Sequence, residues 1–273
     1  MRTDVLLSLS SLKLDGISDT PLLDCQIMLG HVLGKPREWL YGHRDATLTD
    51  TETTCFQQML TRRQNGEPIA YITGTRSFWK REFMVTPAVL IPRPETELII
   101  DTVLERLDDA SINVLDLGTG SGAIAISLAA ERTTWQVTGI DNSGEALSIA
   151  RLNGEGLLNL DWLEGSWCNG IKAASVDLIV SNPPYVEEGD SHLDQLTFEP
   201  VSALTSGPDG LDAIRDIVPA GYHCLKTGGL LIVEHGYRQQ PTVMSLFDAA
   251  GFKDVEGLVD LQGNPRLVLG KKP

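Results

Sequence analysis

Hydrophobic positions along the first 70 residues recur at helical spacing. TPLLDCQIMLGHVLG predicts a helix with Thr20 as N-cap and Pro21 at its first position. Leu22, Leu23, Ile27, Leu29, Val32 and Leu33 fall mostly on one side. TDTETTCFQQMLTRRQNG opens on capping residues and stops at Asn65-Gly66, so residues 1–72 read as a small bundle of three to five helices. The pattern then changes. In EPIAYITGTRSFWKREFMVTPAVLIP, β-branched and aromatic residues alternate with polar ones between Gly74 and Pro87, which predicts a hairpin linker over 73–92. RPETELIIDTVLERL returns to helical spacing, with Pro94 in its first turn.

From residue 112 strands and helices alternate. INVLDLG, WQVTGID, a segment around LLNLDWLEG, VDLIVS and GGLLIVEHG read as strands. Between them lie GAIAISLAAE, GEALSIARLNG and LDAIRDIVPAGYHCL, followed by QQPTVMSLFDAAG, all with helical periodicity. This order predicts an α/β domain over 93–273, with a mostly parallel sheet covered on both faces. FKDVEGL and PRLVLG, separated by little more than a turn, add an antiparallel hairpin at one edge.

Charge narrows the partners. The chain of 273 residues carries a formal net charge of −15. Residues 1–85 are balanced, with 10 basic and 10 acidic side chains, so residues 86–273 hold the whole excess, 12 against 27. Such a surface argues against a broad grip on nucleic acid and suits a cationic cofactor or a basic protein. Four scattered cysteines with no CxxC pair point to reduced thiols in the cytoplasm and no structural zinc. No apolar run is long enough for a membrane span, and the N-terminus reads as a helix, not a signal peptide.

Two segments carry chemistry. In VLDLGTGSGAIA a buried strand ends at Asp116, and Gly118, Thr119, Gly120, Ser121 and Gly122 form a turn into a helix. The glycines let backbone approach a ligand. Nineteen residues after Gly122 the next strand ends in Asp141, placed to accept both hydroxyls of a ribose. The spacing is G-x-G-x-G, and an acid at the strand end opposes a pyrophosphate but suits a sulfonium. The cofactor expected is therefore S-adenosyl-L-methionine, with S-adenosyl-L-homocysteine as product. Trp167, after the third strand, is placed to flank an adenine.

The second segment is SNPPYV, residues 181–186, at the end of the fourth strand. A planar nitrogen is a poor nucleophile because its lone pair is delocalised. The Asn182 side-chain carbonyl and the Pro183 backbone carbonyl can accept both hydrogens of one NH₂, holding its lone pair in line with a methyl group. Pro183 and Pro184 stiffen the turn, and Tyr185 offers a ring face to a flat substrate group. Asn182 also borders the cofactor loop. Catalysis is thus assigned to Asn182, Pro183 and Tyr185, and substrate binding to Asn182 through Tyr185. Two substrates share this chemistry, the exocyclic amine of adenine and the side-chain amide of glutamine. The first requires base flipping and phosphate contacts, for which no basic face is present. His192 and His235 lack a nucleophile partner and read as structural.

LIPRPETE (90–97), VLDLGTGSGAIA, SNPPYV, FEP (198–200), GPDGL (207–211), EHG (234–236) and GNPR (263–266) together resemble the HemK/PrmC family over essentially the whole chain. The resemblance implies a class I methyltransferase fold of seven strands behind a five-helix N-terminal domain that recognises substrate. It implies N5-methylation of the glutamine in the Gly-Gly-Gln loop of class 1 peptide-chain release factors by a cytoplasmic monomer that binds no DNA. LIPRPETE would wall the site near the methyl group. Where the family often has an Asp before the aromatic after strand three, this chain has Ser166, which offers the adenine amine an acceptor without charge.

Overall fold

The structure is a computed structural model that describes residues 2–273. It divides into two compact units, the first ending at Thr75 and the second running from Arg76 to Pro273.

The first unit holds five helices: α1 (Thr3–Leu12), α2 (Pro21–Leu33), α3 (Arg37–Gly42), α4 (Asp50–Gln64) and α5 (Ile69–Thr73). Their apolar faces meet in a core built around Leu6, Met28, Leu29, Phe56 and Leu60. The ends of α2 and α4 follow the sequence signals, with one difference. Thr20 makes no capping bond; its hydroxyl turns instead to Asp24 Oδ1. Asp24 in turn takes Arg63 Nε at 2.7 Å, an ion pair that fixes α4 on α2. Leu22, counted on the apolar side, is half exposed, and Cys25 and Met28 fill the core in its place.

The second unit opens with β2 (Arg81–Met84), partnered by β1 (Thr75–Phe78), so the hairpin expected as a linker lies almost wholly within this unit. A short 3₁₀ turn (Pro94–Thr96) leads into α6 (Glu97–Arg106). Then follow β3 (Asn113–Leu117), α7 (Ala123–Glu131), β4 (Gln136–Asp141), α8 (Gly144–Asn153), β5 (Leu160–Glu164) and β6 (Val176–Ser181). α9 (Asp212–Cys224), β7 (Leu225–Glu234), α10 (Gln240–Ala250), β8 (Lys253–Val259) and β9 (Pro265–Lys271) complete the chain.

Strands β3 to β9 form one seven-stranded sheet in the order β5-β4-β3-β6-β7-β9-β8. All neighbours are parallel except around β9, which runs antiparallel to β7 and β8. One core cluster packs α6, α7 and the hairpin rings Phe78 and Phe83 on the sheet; a second packs α9 and α10. Strand order reverses between β3 and β6, the place where open sheets of this kind bind ligands beyond the carboxyl ends of their strands. Register fixes what meets there. Leu117 pairs with Ser181, so Gly118 and Asn182 leave the sheet side by side. Ser181 Oγ donates to the Leu117 carbonyl at 2.7 Å and locks that match.

Candidate functional site

A cavity of about 320 Å³ opens at this switch point. Its floor is the glycine turn, with Gly118 and Gly120 exposed to it. Gly118 and Thr119 both donate their N–H to the Ile140 carbonyl, at 2.8 and 2.9 Å. Gly120 sits at φ +55° and Gly118 at +72°, a left-handed backbone that glycine adopts without cost.

Asp141 ends β4 on the cavity wall. Its Oδ2 accepts from Gly120 N at 2.8 Å and its Oδ1 from Ser143 N at 2.9 Å. Each oxygen keeps lone pairs for one ribose hydroxyl, and the two backbone bonds aim the carboxylate. Trp167 flanks the cavity at φ +49°. A left-handed backbone costs an aromatic residue about 1–2 kcal/mol. Its ring lies so close over the glycine turn that a β-carbon on Gly118 would sit 3.4 Å from it. Ser166 also lines the cavity.

Asp116 has a different place from the one its position in the sequence suggested. It is fully buried beneath the turn and does not face the cavity. Its Oδ2 takes the Thr119 hydroxyl at 2.6 Å and Ala125 N at 3.1 Å, which binds the glycine turn to the start of α7. Burial pushes its carboxyl up to about 7. The acid therefore shapes the loop and does not attract a sulfonium. The specific pull toward S-adenosylmethionine lies in Asp141, Trp167 and a cavity of nucleoside size, which together fit that cofactor.

Of the NPPY segment, Asn182 and Pro184 line the cavity. Pro183 is buried, and Tyr185 is half-buried with its hydroxyl donated to Glu234 Oε1 at 3.2 Å. The two prolines end the ladder, and the next two N–H groups, of Tyr185 and Val186, both go to the Leu204 carbonyl at 3.1 and 2.8 Å. Asn182 Nδ2 donates to Thr96 Oγ1 at 3.0 Å, which leaves Oδ1 as the free acceptor of that amide. Thr119 and Ser121 face a smaller adjoining cavity of about 50 Å³, bordered also by Arg93, Thr96 and Asn182. Gly122 caps α7 at φ +82°.

Leu90 opens LIPRPETE, the motif expected to wall the site; the rest of that wall and a second one were not expected. Pro87 to Leu90, counted as linker, form one side, and Pro200, Ser202 and Ala203 form another. Asn142, Ser143, Glu145 and Ala146 add the rim after Asp141. The signal for the first two walls was present in LIPRPETE and FEP. Glu199 of FEP is buried, its Oε2 accepting from Ile91 N at 3.0 Å and its Oε1 from Arg93 Nη2 at 2.5 Å. One carboxylate thus joins the two motifs.

GPDGL and EHG are joined in a similar way. Gln239 Nε2 donates to the carbonyls of Tyr185 (3.0 Å) and Asp209 (3.1 Å), while its Oε1 accepts from Gly236 N at 2.9 Å. Gly210 sits at φ +71°, and a β-carbon there would collide with the Tyr185 carbonyl oxygen. Gly210→Ala is expected to destabilise the fold by about 2–5 kcal/mol, from left-handed strain plus overpacking against backbone. A denaturant midpoint equal to that of the unsubstituted protein would show that the NPPY turn yields.

Comparison with known proteins bears on the whole chain. Residues 6–74 match the PrmC N-terminal domain family and residues 94–206 the methyltransferase small domain family. A release factor glutamine methyltransferase of Coxiella burnetii is 40% identical over 265 residues, covering 96% of both chains. One from Xylella fastidiosa is 44% identical, covering 92% of this chain and 93% of its own. Among solved structures, a methyltransferase from Pyrococcus furiosus superposes with a TM-score of 0.53 at 17% identity, over 70% of this chain and 88% of its own. A ribosomal protein L11 methylase from Lactobacillus delbrueckii gives 0.51 at 19%, over 69% and 83%. These two share the fold. With the cavity, its acid and its asparagine in place, the chain is an S-adenosylmethionine-dependent methyltransferase and belongs to the release factor glutamine methyltransferase family.

Proposed function

We propose that the protein methylates the side-chain amide nitrogen of the glutamine in the Gly-Gly-Gln loop of a class 1 peptide-chain release factor. The observation that carries this reading is the orientation of Asn182. With its NH₂ committed to Thr96, its Oδ1 is the acceptor that a substrate NH₂ meets next to the glycine turn.

When bound, S-adenosylmethionine would supply an electrophilic methyl group on a sulfonium, with S-adenosylhomocysteine as the leaving group. Asp141 and Trp167 would hold its nucleoside. Asn182 Oδ1 and the Pro183 carbonyl would accept hydrogen bonds from the two amide N–H groups, which would turn the nitrogen lone pair toward the methyl. The glutamine carbonyl keeps the nitrogen planar and weakly basic, so positioning does most of what a strong base would do elsewhere. After transfer the alkylated nitrogen loses one of its protons to solvent. We assign the helical unit to gripping the release factor and expect a cytoplasmic monomer. The names of the relatives and the acidic excess of residues 86–273 both favour a protein substrate over a nucleic acid.

Incubation with methyl-labelled cofactor and either a release factor or duplex DNA tests this. Label is expected on the release factor, and a Gly-Gly-Gln glutamine replaced by alanine should abolish it. Label on adenine of the DNA, with none on the protein, would replace this reading with nucleic-acid methylation.

A further inference from the structure

The strap from Leu90 to Arg93 belongs to no helix or strand, yet Leu90 borders both cavities and Arg93 the smaller one. Pro92 and Pro94 have no N–H to give, so side chains hold this strap in place. Arg76 Nε donates to the Pro92 carbonyl at 3.3 Å. Glu199 takes the other contacts. Ile91 N donates to its Oε2 at 3.0 Å, and Arg93 Nη2 to its Oε1 at 2.5 Å. Among the described residues, both hydrogen bonds between segments 90–96 and 199–204 end on this carboxylate.

Each segment also holds one end of the NPPY turn. Thr96 N donates to the Arg93 carbonyl at 3.1 Å, and Thr96 Oγ1 takes Asn182 Nδ2 at 3.0 Å. On the other side Ala203 N donates to the Pro200 carbonyl at 2.9 Å and Leu204 N to that of Val201 at 3.0 Å. The Leu204 carbonyl, at the end of this second turn, accepts from Tyr185 N and Val186 N. Asn182 is thus held by the first segment and Tyr185 by the second, and Glu199 fixes one segment on the other.

Resting on the glutamine-amide reading above, we infer that Glu199 is a positioning residue for methyl transfer. It braces the two supports of the NPPY turn, so that Asn182 Oδ1 and the Pro183 carbonyl keep the spacing one NH₂ requires. Glu199 is 4% exposed and lines neither cavity, so the effect passes through the segments it joins. A carboxylate has lone pairs for both donors, and its charge strengthens both bonds. Glutamine at 199 would keep one carbonyl oxygen and turn its NH₂ toward the other donor, which sets donor against donor and pushes strap and turn apart. A displacement of about 1 Å at a reacting group costs on the order of 100-fold in rate.

The test uses the full chain, labelled S-adenosylmethionine and a class 1 release factor. Glu199→Gln is expected to lower kcat on the order of 30-fold, with KM for the release factor and cofactor Kd within about threefold. A clamp that served stability alone would lower the melting temperature and leave kcat of the folded protein unchanged. In the Asn182→Ala background the same substitution should cost less than about fivefold, because the amide it aims is gone. Glu199→Gln turning over within about threefold of the unsubstituted enzyme would overturn the proposal, as would an equal loss in both backgrounds. Arg93→Met, which removes the charged bond at a half-buried side chain, repeats both measurements if Glu199→Gln does not fold. A loss of about tenfold in kcat that shrinks in the Asn182→Ala background supports the brace, and an unchanged rate or an undiminished loss overturns it. Failure of the glutamine reading shows separately, as label outside the glutamine side chain with the unsubstituted enzyme.

Discussion

Asn182→Ala is expected to lower kcat between about 100- and 1000-fold while cofactor affinity stays within about threefold. The size follows from what is lost. The substrate nitrogen keeps its neighbours but loses an acceptor fixed before reaction, and removal of one such preset polar group typically costs two to three decades in kcat. The separation from cofactor binding follows from geometry, because the nucleoside contacts proposed come from Asp141, at the end of β4, and Trp167, in the turn after β5. Single-turnover rates with saturating cofactor, beside calorimetric cofactor Kd, measure the two effects independently. Turnover within tenfold of the unsubstituted enzyme would mean that the Pro183 carbonyl alone positions the amide.

The second large effect belongs to the cofactor. Asp141→Ala should raise Kd for S-adenosylmethionine by at least about 100-fold, since two hydrogen bonds to a charged carboxylate, worth about 1.5–3 kcal/mol each, are lost. The true loss should be larger than the ribose contacts alone. Gly120 N and Ser143 N also give up their acceptor, and with it the shape of the turn. Asp141→Asn separates the parts, because it keeps one acceptor oxygen. An intermediate Kd for that variant is expected. Equal Kd for the alanine variant and the unsubstituted protein would remove Asp141 from the ribose site.

How much of this was legible in the sequence differs by residue. That the glycine turn, Asp141 and Trp167 border one cavity could be read because their placement depends on local order: a strand end, a tight turn, a helix start, then the next strand end. Asn182 could be read for the same reason. Asp116 could not. Its position at a strand end is compatible with facing either the ligand or the core, and the fold sends it inward to Thr119 and Ala125. For Tyr185 the sequence suggested a ring face at the site, and the structure adds a hydroxyl bonded to buried Glu234, 49 positions away, which no local pattern shows.

By itself the sequence determined the alternation of strands and helices, the hairpin at the sheet edge, the cofactor class and the turn that carries Asn182. Those features follow from periodicity and from residues within about 25 positions of each other. Only the tertiary structure decided which distant motifs touch. Glu199 reaches back to Ile91 and Arg93, Gln239 to Tyr185, and Asn182 to Thr96. Such pairings are set by strand order and register, which a linear pattern does not encode. The Leu117–Ser181 match that places Gly118 beside Asn182 is the first of them, and the orientation of the Asn182 amide follows from its bond to Thr96.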